Sequence, residues 1–225
     1  MRARAARSRT PRDLSRLPYA HRLEPFTGEI EREGSHEWLR FDGGELAEAD
    51  GGGSDFTQCA FSGVTFTGGR YRRARFDEVW LHSVRVVGAD LADSSWLDGE
   101  WAESVLAGAE LSGAQLRRVV FHHCKFDSVN ARTARFREVS FVGCLLRDVD
   151  FGGAALTDVD FPGSTLDRVR LDRATLTGVD LRGAAGLGIA SGIEALRGAT
   201  VSTPQILDLA PALAGVIGLT VRDDD

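Results

Sequence analysis

Hydrophobic and polar positions repeat with a period of five along the middle of this 225-residue chain. From Ser54 to Gly183 the sequence divides into 26 consecutive groups of five, without an insertion or a deletion. The third residue of each group, here called the centre, is large and apolar in every group except the one centred on Ala131. The residue two places before the centre is always Ala, Cys, Gly, Ser or Val. The remaining positions are mostly polar, charged or glycine, so two positions in five are candidates for a core.

This period excludes the ordinary secondary-structure elements. An amphipathic helix repeats its apolar positions every 3.6 residues, and a half-buried strand repeats them every two. A chain that turns a corner once per group fits the pattern, because four such sides close one coil. The centre and the small residue would then point inward, and the other three positions would face water. The pattern therefore predicts an all-β fold with four sides, in which four successive groups make one coil.

Several groups carry a small residue, an acidic residue and then leucine, as in Ala89-Asp90-Leu91, Ala109-Glu110-Leu111 and Val179-Asp180-Leu181. This pattern resembles that of the pentapeptide-repeat family, and the resemblance extends over all 26 groups. It implies the fold of that family, a right-handed quadrilateral parallel β-helix. In that fold, each group stacks on the fourth group after it in a short parallel ladder. The expected organisation is a basic flexible arm (1–22), an N-terminal cap with a first irregular coil (23–53), the β-helix (54–184), and a C-terminal helical cap and dimerisation module (185–225).

Composition and motifs exclude several classes of protein. No apolar run has the length of a membrane-spanning helix, and the stretch from Met1 to Arg22 contains seven arginines but no apolar signal-peptide core. We therefore expect a cytoplasmic protein without membrane contact. The motifs GxSxG, HExxH and GxxxxGK[ST] are absent, and carboxylates on a convex solvated wall have nothing to desolvate them. We expect no enzymatic activity and no cofactor.

The cysteines and histidines suggest no metal site. The three cysteines form no CxxC pair and all occupy the small inward position. Cys124 and Cys144 would stack within disulfide range, although two reduced buried thiols are the expected state in a reducing compartment. The register places His82, His122 and His123 on the outside, where they are too far apart to share a metal.

Acidic side chains are the main functional signal on the predicted outer surface. The segment from Val86 to Leu116 contains six carboxylates and no lysine or arginine. Together with one later aspartate, they form the candidate acidic binding face: Asp90, Asp93, Asp98, Glu100, Glu103, Glu110 and Asp150. Because an acidic residue before the centre belongs to the family pattern, these carboxylates are also explained as solvated turn residues.

The resemblance implies a partner for this face. Quinolone-resistance members of the family are similar to duplex DNA in size and charge, and they bind DNA gyrase. By analogy, this chain would bind gyrase or topoisomerase by partial DNA mimicry. Duplex DNA carries one charge per ~1.7 Å, so a rod of about 31 Å would need about 18 negative charges. Residues 41–184 contain 16 basic and 22 acidic residues, a net charge of −6. A general protein-interaction scaffold with an unrelated partner is the alternative.

The arginine-rich N-terminal arm has three open interpretations. It could contact nucleic acid, fold back on the acidic coils, or remain an unspecific tail. Direct nucleic-acid binding by any other part of the chain is not expected. Outward apolar residues offer places for the N-terminal region to dock: Trp80, Val87, Leu97, Val105 and Leu145.

The C-terminal region is predicted to contain a short helix. Thr203 and Pro204 are typical of an N-cap and a first helical position. Five apolar residues on one side of this helix form the candidate dimer interface: Ile206, Leu209, Leu213, Val216 and Ile217. The region resembles the C-terminal module through which quinolone-resistance members of the family pair, which implies a homodimer. Alternatively, the helix only plugs the last coil.

Overall fold

Short parallel strands wind into a four-sided solenoid in the computed structural model, which describes residues 10–216 and 218–220. Three of the four sides are parallel sheets, two with eight strands and one with seven. The chain therefore makes about eight coils, and the predicted all-β parallel β-helix is confirmed. In each coil the chain passes through face 1, face 2, face 3 and face 4 in that order.

Strands are numbered along the chain, and each face contains every third strand, or every second strand near the ends of the solenoid. Face 1 contains β2 (Ser35–Glu37), β5 (Asp55–Thr57), β8 (Arg75–Asp77), β11 (Ser95–Leu97), β14 (Gln115–Arg117), β17 (Arg135–Arg137), β20 (Ala155–Thr157) and β22 (Thr175–Thr177). Face 2 contains β1 (Glu24–Pro25), β3 (Leu39–Asp42), β6 (Ala60–Ser62), β9 (Trp80–His82), β12 (Glu100–Ala102), β15 (Val120–His122) and β18 (Ser140–Val142). Face 3 contains β4 (Glu45–Ala47), β7 (Thr65–Thr67), β10 (Arg85–Val87), β13 (Val105–Ala107), β16 (Lys125–Asp127), β19 (Leu145–Arg147), β21 (Thr165–Arg170) and β23 (Gly186–Ser191). Face 4 is held by single parallel bridges between residues such as Asp90, Glu110 and Asn130.

The register is constant throughout the regular coils, so each centre stacks on the centre four groups later. Phe56 pairs with Phe76, and Phe121 pairs with Phe141. The stacked rings are nearly parallel, with centroids 4.9 Å apart in the first pair and 5.1 Å in the second. The small residue before each centre is buried beside these rings. The hollow of the tube is thus filled by aromatic and aliphatic columns that run along its axis.

Corners are made by the fifth residue of the groups, which adopts a left-handed conformation in every group except the last, which ends at Gly183. Gln58 has φ of 52°, Asp98 has φ of 53° and Gly63 has φ of 65°. This conformation is disfavoured for residues with a Cβ atom by roughly 1–2 kcal/mol, and glycine adopts it freely. The recurrence of glycine at this position explains part of the high glycine content of the chain.

A coil is present before Ser54, within the region expected to hold an N-terminal cap and a first irregular coil (23–53). Its strands β2, β3 and β4 pair with the following coil in the regular register. His36 occupies the centre on face 1 and stacks on Phe56 at 4.7 Å. Gly51 occupies the centre on face 4, where a Cβ would lie 2.9 Å from the Ile30 side chain. Ile30 therefore fills the space that the glycine leaves.

The last coil ends in the predicted C-terminal helix. The register between β21 and β23 shifts at two places, and a 3₁₀-helix at Ile193–Leu196 follows. The helix α1 covers Thr203–Val216. Its N-cap is Ser202, one residue before the predicted Thr203, because the Ser202 backbone N–H donates to Gln205 Oε1 at 2.9 Å in a capping box. The Gln205 amide also donates to Leu181 O at 2.8 Å, which fastens the helix to the last regular coil.

Candidate protein-binding surfaces

The carboxylates on face 4 cap the turns of the coils that carry them. Asp90 Oδ1 accepts a hydrogen bond from the Ala92 backbone N–H at 3.0 Å. Glu110 and Asp150 accept the N–H two residues later in the same way, at 2.9 and 2.8 Å. One oxygen of each side chain is therefore used locally. This geometry supports the interpretation of these acidic residues as turn residues.

The second oxygen of these carboxylates is also engaged, mostly by arginine. Arg72 contacts Asp90 at 3.3 Å and Asp93 at 2.9 Å. Arg132 contacts Asp150 at 3.0 Å. Asn130, one coil from Glu110, donates to Glu110 Oε2 at 2.8 Å. The acidic column on face 4 is thus largely compensated within the wall.

Two further predicted residues lie at other corners. Asp98 lies between faces 1 and 2, where Arg118 binds it with both Nε and Nη2, at 2.6 and 2.5 Å. This pairing raises the pKa of Arg118 above its usual value. Glu103 lies between faces 2 and 3, and its Oε2 is 3.7 Å from His82 Nε2. The two carboxylates share neither a side of the solenoid nor a partner.

Glu100 is the predicted acidic residue that is not accessible, because only 6% of its surface is exposed. The Arg12 backbone N–H donates to Glu100 Oε1 at 2.6 Å, and the Arg12 side chain donates to Oε2 at 2.5 Å. The N-terminal segment therefore lies directly on this carboxylate. Glu100 is unavailable to a partner while the segment is docked.

The described part of the N-terminal arm is folded, in contrast to the flexible arm predicted for residues 1–22. Residues 10–23, here called the docked segment, contain two 3₁₀-helices at Leu14–Arg16 and Ala20–Arg22. Leu17 and Tyr19 are buried against Trp80 on face 2, and the Trp80 indole N–H donates to Arg12 O at 3.0 Å. Burial raises the pKa of the Tyr19 phenol well above its usual value. The interpretation in which the arm folds back on the acidic coils matches this arrangement.

His122 also differs from the expectation of an outward, exposed side chain. It occupies an outer position of β15 on face 2, yet it is fully buried. Burial lowers its pKa from the usual value of 6.5, and the nearby Glu100 partly opposes that shift. His122 Nδ1 has no hydrogen-bond partner among the described residues. The register predicts which way a side chain points, but not whether another segment covers it.

The cysteines behave as buried thiols. Cys59, Cys124 and Cys144 are all free and buried. Burial raises the pKa of Cys59 to about 11. The Cys124 backbone N–H lies 3.4 Å from Cys144 Sγ, so these two residues stack as the register predicts. Within residues 10–216 and 218–220, no three potential metal-ligating side chains of His, Cys, Asp or Glu converge.

Comparisons with known proteins agree with this architecture. A family model described as a pentapeptide repeat region matches residues 114–185, and a second, described as eight copies of the pentapeptide repeat, matches residues 87–122. The chain belongs to the pentapeptide-repeat family. A search of curated proteins gave no match.

Solved pentapeptide-repeat structures are similar to this chain at low identity. QnrB1, a plasmid-mediated fluoroquinolone resistance protein, is 21% identical, with 89% of this chain and 100% of that chain covered and a TM-score of 0.40. HetL, from the cyanobacterium Nostoc sp., is involved in the regulation of heterocyst differentiation. It is 17% identical, with coverages of 77% and 92% and a TM-score of 0.31. A pentapeptide-repeat protein of the Arabidopsis thaliana thylakoid lumen is 17% identical, with coverages of 55% and 72% and a TM-score of 0.29.

The seven predicted acidic residues of this pentapeptide-repeat protein do not form one face. Asp90, Glu110 and Asp150 share face 4, and the other four lie at three corners and on face 2. Sequence reasoning missed the ion pairs that compensate them, which involve Arg12, Arg72, Arg118 and Arg132. A usable signal was present for Arg118, because it lies one coil after Asp98 in the five-residue frame.

The C-terminal helix presents the predicted dimer residues unequally. Leu209 is buried within the chain, whereas 42% of Ile206 and 54% of Val216 are exposed. Leu207, which was not predicted, is 68% exposed. Leu213 is half-buried, and Ile217 lies outside the described residues.

The described residues contain no helix with the length and apolar character needed to cross a bilayer.

Proposed function

We propose that this pentapeptide-repeat protein is a non-enzymatic scaffold that pairs through its C-terminal helix and binds another protein along its outer wall. The observation that carries the proposal is the exposure of three large apolar side chains on α1, Ile206 and Leu207 near its start and Val216 at its end. Exposed apolar side chains grouped on one element often mark a site of association with another chain. The rest of the described wall is dominated by polar and charged side chains, so α1 is the natural point of association.

A second copy of the chain is the occupant that we propose for this surface. Most soluble oligomers are symmetric homodimers in which the same patch contacts itself. A short helix with exposed apolar residues at both of its ends can meet its own copy across a two-fold axis. Leu209 instead holds the helix on the solenoid, so it supports the interface without entering it. The dimer would place two rods end to end and display two walls.

The dimer is tested by sedimentation velocity at micromolar protein. We expect the native chain to sediment as a dimer and the double variant Ile206→Glu, Leu207→Glu to sediment as a monomer with an unchanged circular dichroism spectrum. Thr177→Glu, on exposed face 1, is the matched control and should remain dimeric. A monomeric native chain, or a double variant that still dimerises, would refute pairing through α1.

Binding of DNA gyrase or topoisomerase by partial DNA mimicry is the second candidate function. The supporting observation is the Val86 to Leu116 segment, which has six carboxylates and no basic residue of its own. Glu103 and Glu110 keep carboxylates at the surface without an arginine contact among the described residues. Against this stand the arginines that reach the other carboxylates from neighbouring coils. Mimicry would therefore be limited to a small part of the wall.

A supercoiling assay separates the two candidates. The native chain would be added to gyrase with and without a quinolone, beside the double variant Glu103→Gln, Glu110→Gln. The control variant Asp127→Asn, Asp167→Asn removes the same charge from face 3. If mimicry is correct, the native chain and the control variant should alter the activity of gyrase, and the variant Glu103→Gln, Glu110→Gln should not. No effect of the native chain at micromolar concentration would dispose of the gyrase candidate and leave the scaffold.

A further inference from the structure

Many arginines on the wall of the solenoid contact a carboxylate in a neighbouring coil. These pairs are Arg70 with Asp50, Arg72 with Asp90 and Asp93, Arg75 with Asp55, Arg118 with Asp98, Arg132 with Asp150, Arg147 with Asp167, and Arg168 with Asp148. The two members of every pair are about one coil apart along the chain. The stacking of coils thus compensates positive charge locally across most of the wall.

Three neighbouring arginines on face 1, here called the arginine patch, make no contact of this kind among the described residues. Arg117 and Arg137 are directly opposite each other in adjacent strands β14 and β17. Arg135 lies two residues before Arg137 on the same exposed side of β17. Neither Arg117 nor Arg135 has a hydrogen-bond or ion-pair partner among the described residues. Arg137 has one distant contact, 3.7 Å from Glu138, and 63% of its side chain is exposed.

The arginine patch does not stabilise the fold through contacts within the described part of the chain. Like charges directly opposite each other in a sheet are destabilising, and these two arginines are about 4.8 Å apart along the stack. Arg135 and Arg137 are separated by about 6.6 Å along their strand. All three guanidinium groups project from one flat surface. The arginine patch therefore presents fork-shaped donors whose acceptors must come from outside the chain.

We propose that the arginine patch binds an acidic polypeptide segment of a partner protein. Guanidinium groups bind carboxylates bidentately, and an extended segment with a carboxylate every second residue matches the spacing along β17. The residues beside the patch on face 1, such as Gln115 and Thr157, are uncharged and do not compete for it.

The small width of the patch favours one extended segment over a broad polyanion. Asp93 and Asp98 flank the neighbouring strand β11 on both sides, each paired with an arginine, and Glu138 and Asp158 lie along the corner between faces 1 and 2. A nucleic-acid duplex is wider than the patch, so its phosphates would also lie over these carboxylates. A single extended segment fits between them. This inference rests on the proposed function, a scaffold that binds another protein along its wall, and it names the chemistry of that partner; it does not depend on pairing through α1 or on gyrase binding.

Fluorescence anisotropy with labelled octaglutamate at low salt tests the proposal on the full chain. We expect saturable binding that weakens with added salt, because the contacts are exposed ion pairs. The triple variant Arg117→Gln, Arg135→Gln, Arg137→Gln should lose about tenfold in affinity, the sum of three such contacts. The matched control Arg85→Gln, Lys125→Gln, Arg147→Gln removes the same charge from opposite face 3 and should lose less than about twofold.

Each other outcome overturns the proposal. No binding of octaglutamate by the native chain, or equal losses in the two triple variants, would show that the patch is not a binding surface. A short DNA duplex could also bind more tightly than octaglutamate and lose that binding in the face 1 variant. This result would show that the ligand of the patch is nucleic acid and not an acidic segment. Both variants are checked for unchanged thermal melting, so that loss of binding cannot come from loss of folding.

Discussion

The regular coils and the docked segment reach the same degree of burial by different means. In the coils, Phe121 is buried because the centre of the adjacent coil stacks on each side of it. In the docked segment, Leu17 and Tyr19 are buried because they meet Trp80, which belongs to a coil much further along the chain. The core of the coils follows from the five-residue period, whereas the segment is held by contacts outside that period, the outward Trp80 side chain and the Arg12–Glu100 ion pair.

This difference predicts different responses to mutation. A defect in a coil affects residues on both sides of it, since each coil is stabilised by its two neighbours. A defect in the docked segment should release that segment alone and leave the solenoid folded. The following predictions test this contrast, beginning with the largest expected effect.

Phe121→Arg should abolish folding of the solenoid. The ring lies between Trp101 and Phe141, with centroids at 5.9 and 5.1 Å, and a guanidinium there would be buried without a partner. We expect the cooperative melting transition, followed by far-UV circular dichroism, to disappear. A variant that still melts near the native temperature would contradict the inward register.

Trp80→Ala should release the docked segment at a cost of about 3 kcal/mol, as for other large-to-small changes at buried sites. We expect trypsin to cleave rapidly at Arg16, while the melting transition of the solenoid persists. Trp96→Ala is the matched control, because Trp96 stacks on Phe76 inside the tube at 3.8 Å. It should lower the melting temperature and leave Arg16 protected. The reverse pattern would mean that the segment and the coils fold as one unit.

Stability should fall as the pH decreases from about 7.5 to 5, the range in which histidine titrates. Burial lowers the pKa of His36 and of His122 in the folded chain, so the unfolded chain binds their protons first. Each such histidine makes unfolding more favourable as pH falls below 6.5, by up to about 1.4 kcal/mol per pH unit. Urea titrations at several pH values measure this slope.

The variants His122→Gln and His36→Gln separate the contributions to that slope. Removing either buried histidine should flatten it, because burial lowers the pKa of each in the folded chain. Arg168 lowers the pKa of Asp148, and that contribution is lost only near pH 3.8 and below, outside the measured window. A slope in His122→Gln that equals the slope of the native chain would refute the contribution of His122.

Arg117→Glu should have the smallest effect. Its side chain is exposed and unpaired among the described residues, and the change removes repulsion with Arg137. We expect the free energy of unfolding to change by less than about 0.5 kcal/mol. A loss as large as that of a core variant would show that face 1 has been assigned to the wrong side of the backbone.

Much of the fold could be predicted because it follows from the positions of the residues in the five-residue repeat. The inward column from Phe56 to Leu176 and the pairing of each group with the fourth group after it both follow from the five-residue period. Counting also predicts that Asp98 meets Arg118, although a charge count along the sequence suggests an uncompensated acidic segment. The burial of Glu100 and His122 could not be predicted in this way, since face 2 is partly covered by a segment that has no period. Ile30 fills the space beside Gly51 because its side chain has a suitable shape, and the five-residue pattern does not predict that contact either.

In a four-sided coil, a change in the length of the chain can alter the outer surface and leave the core almost unchanged. Inserting or deleting one whole group would carry every later residue a quarter turn around the axis, while large and small side chains would still face inward. Charged side chains after the insertion would move to the adjacent face, and they would lose their contacts with the charged side chains of the coils before it. Gene slippage in units of fifteen nucleotides could therefore give this rod a new exterior while its filling changes little.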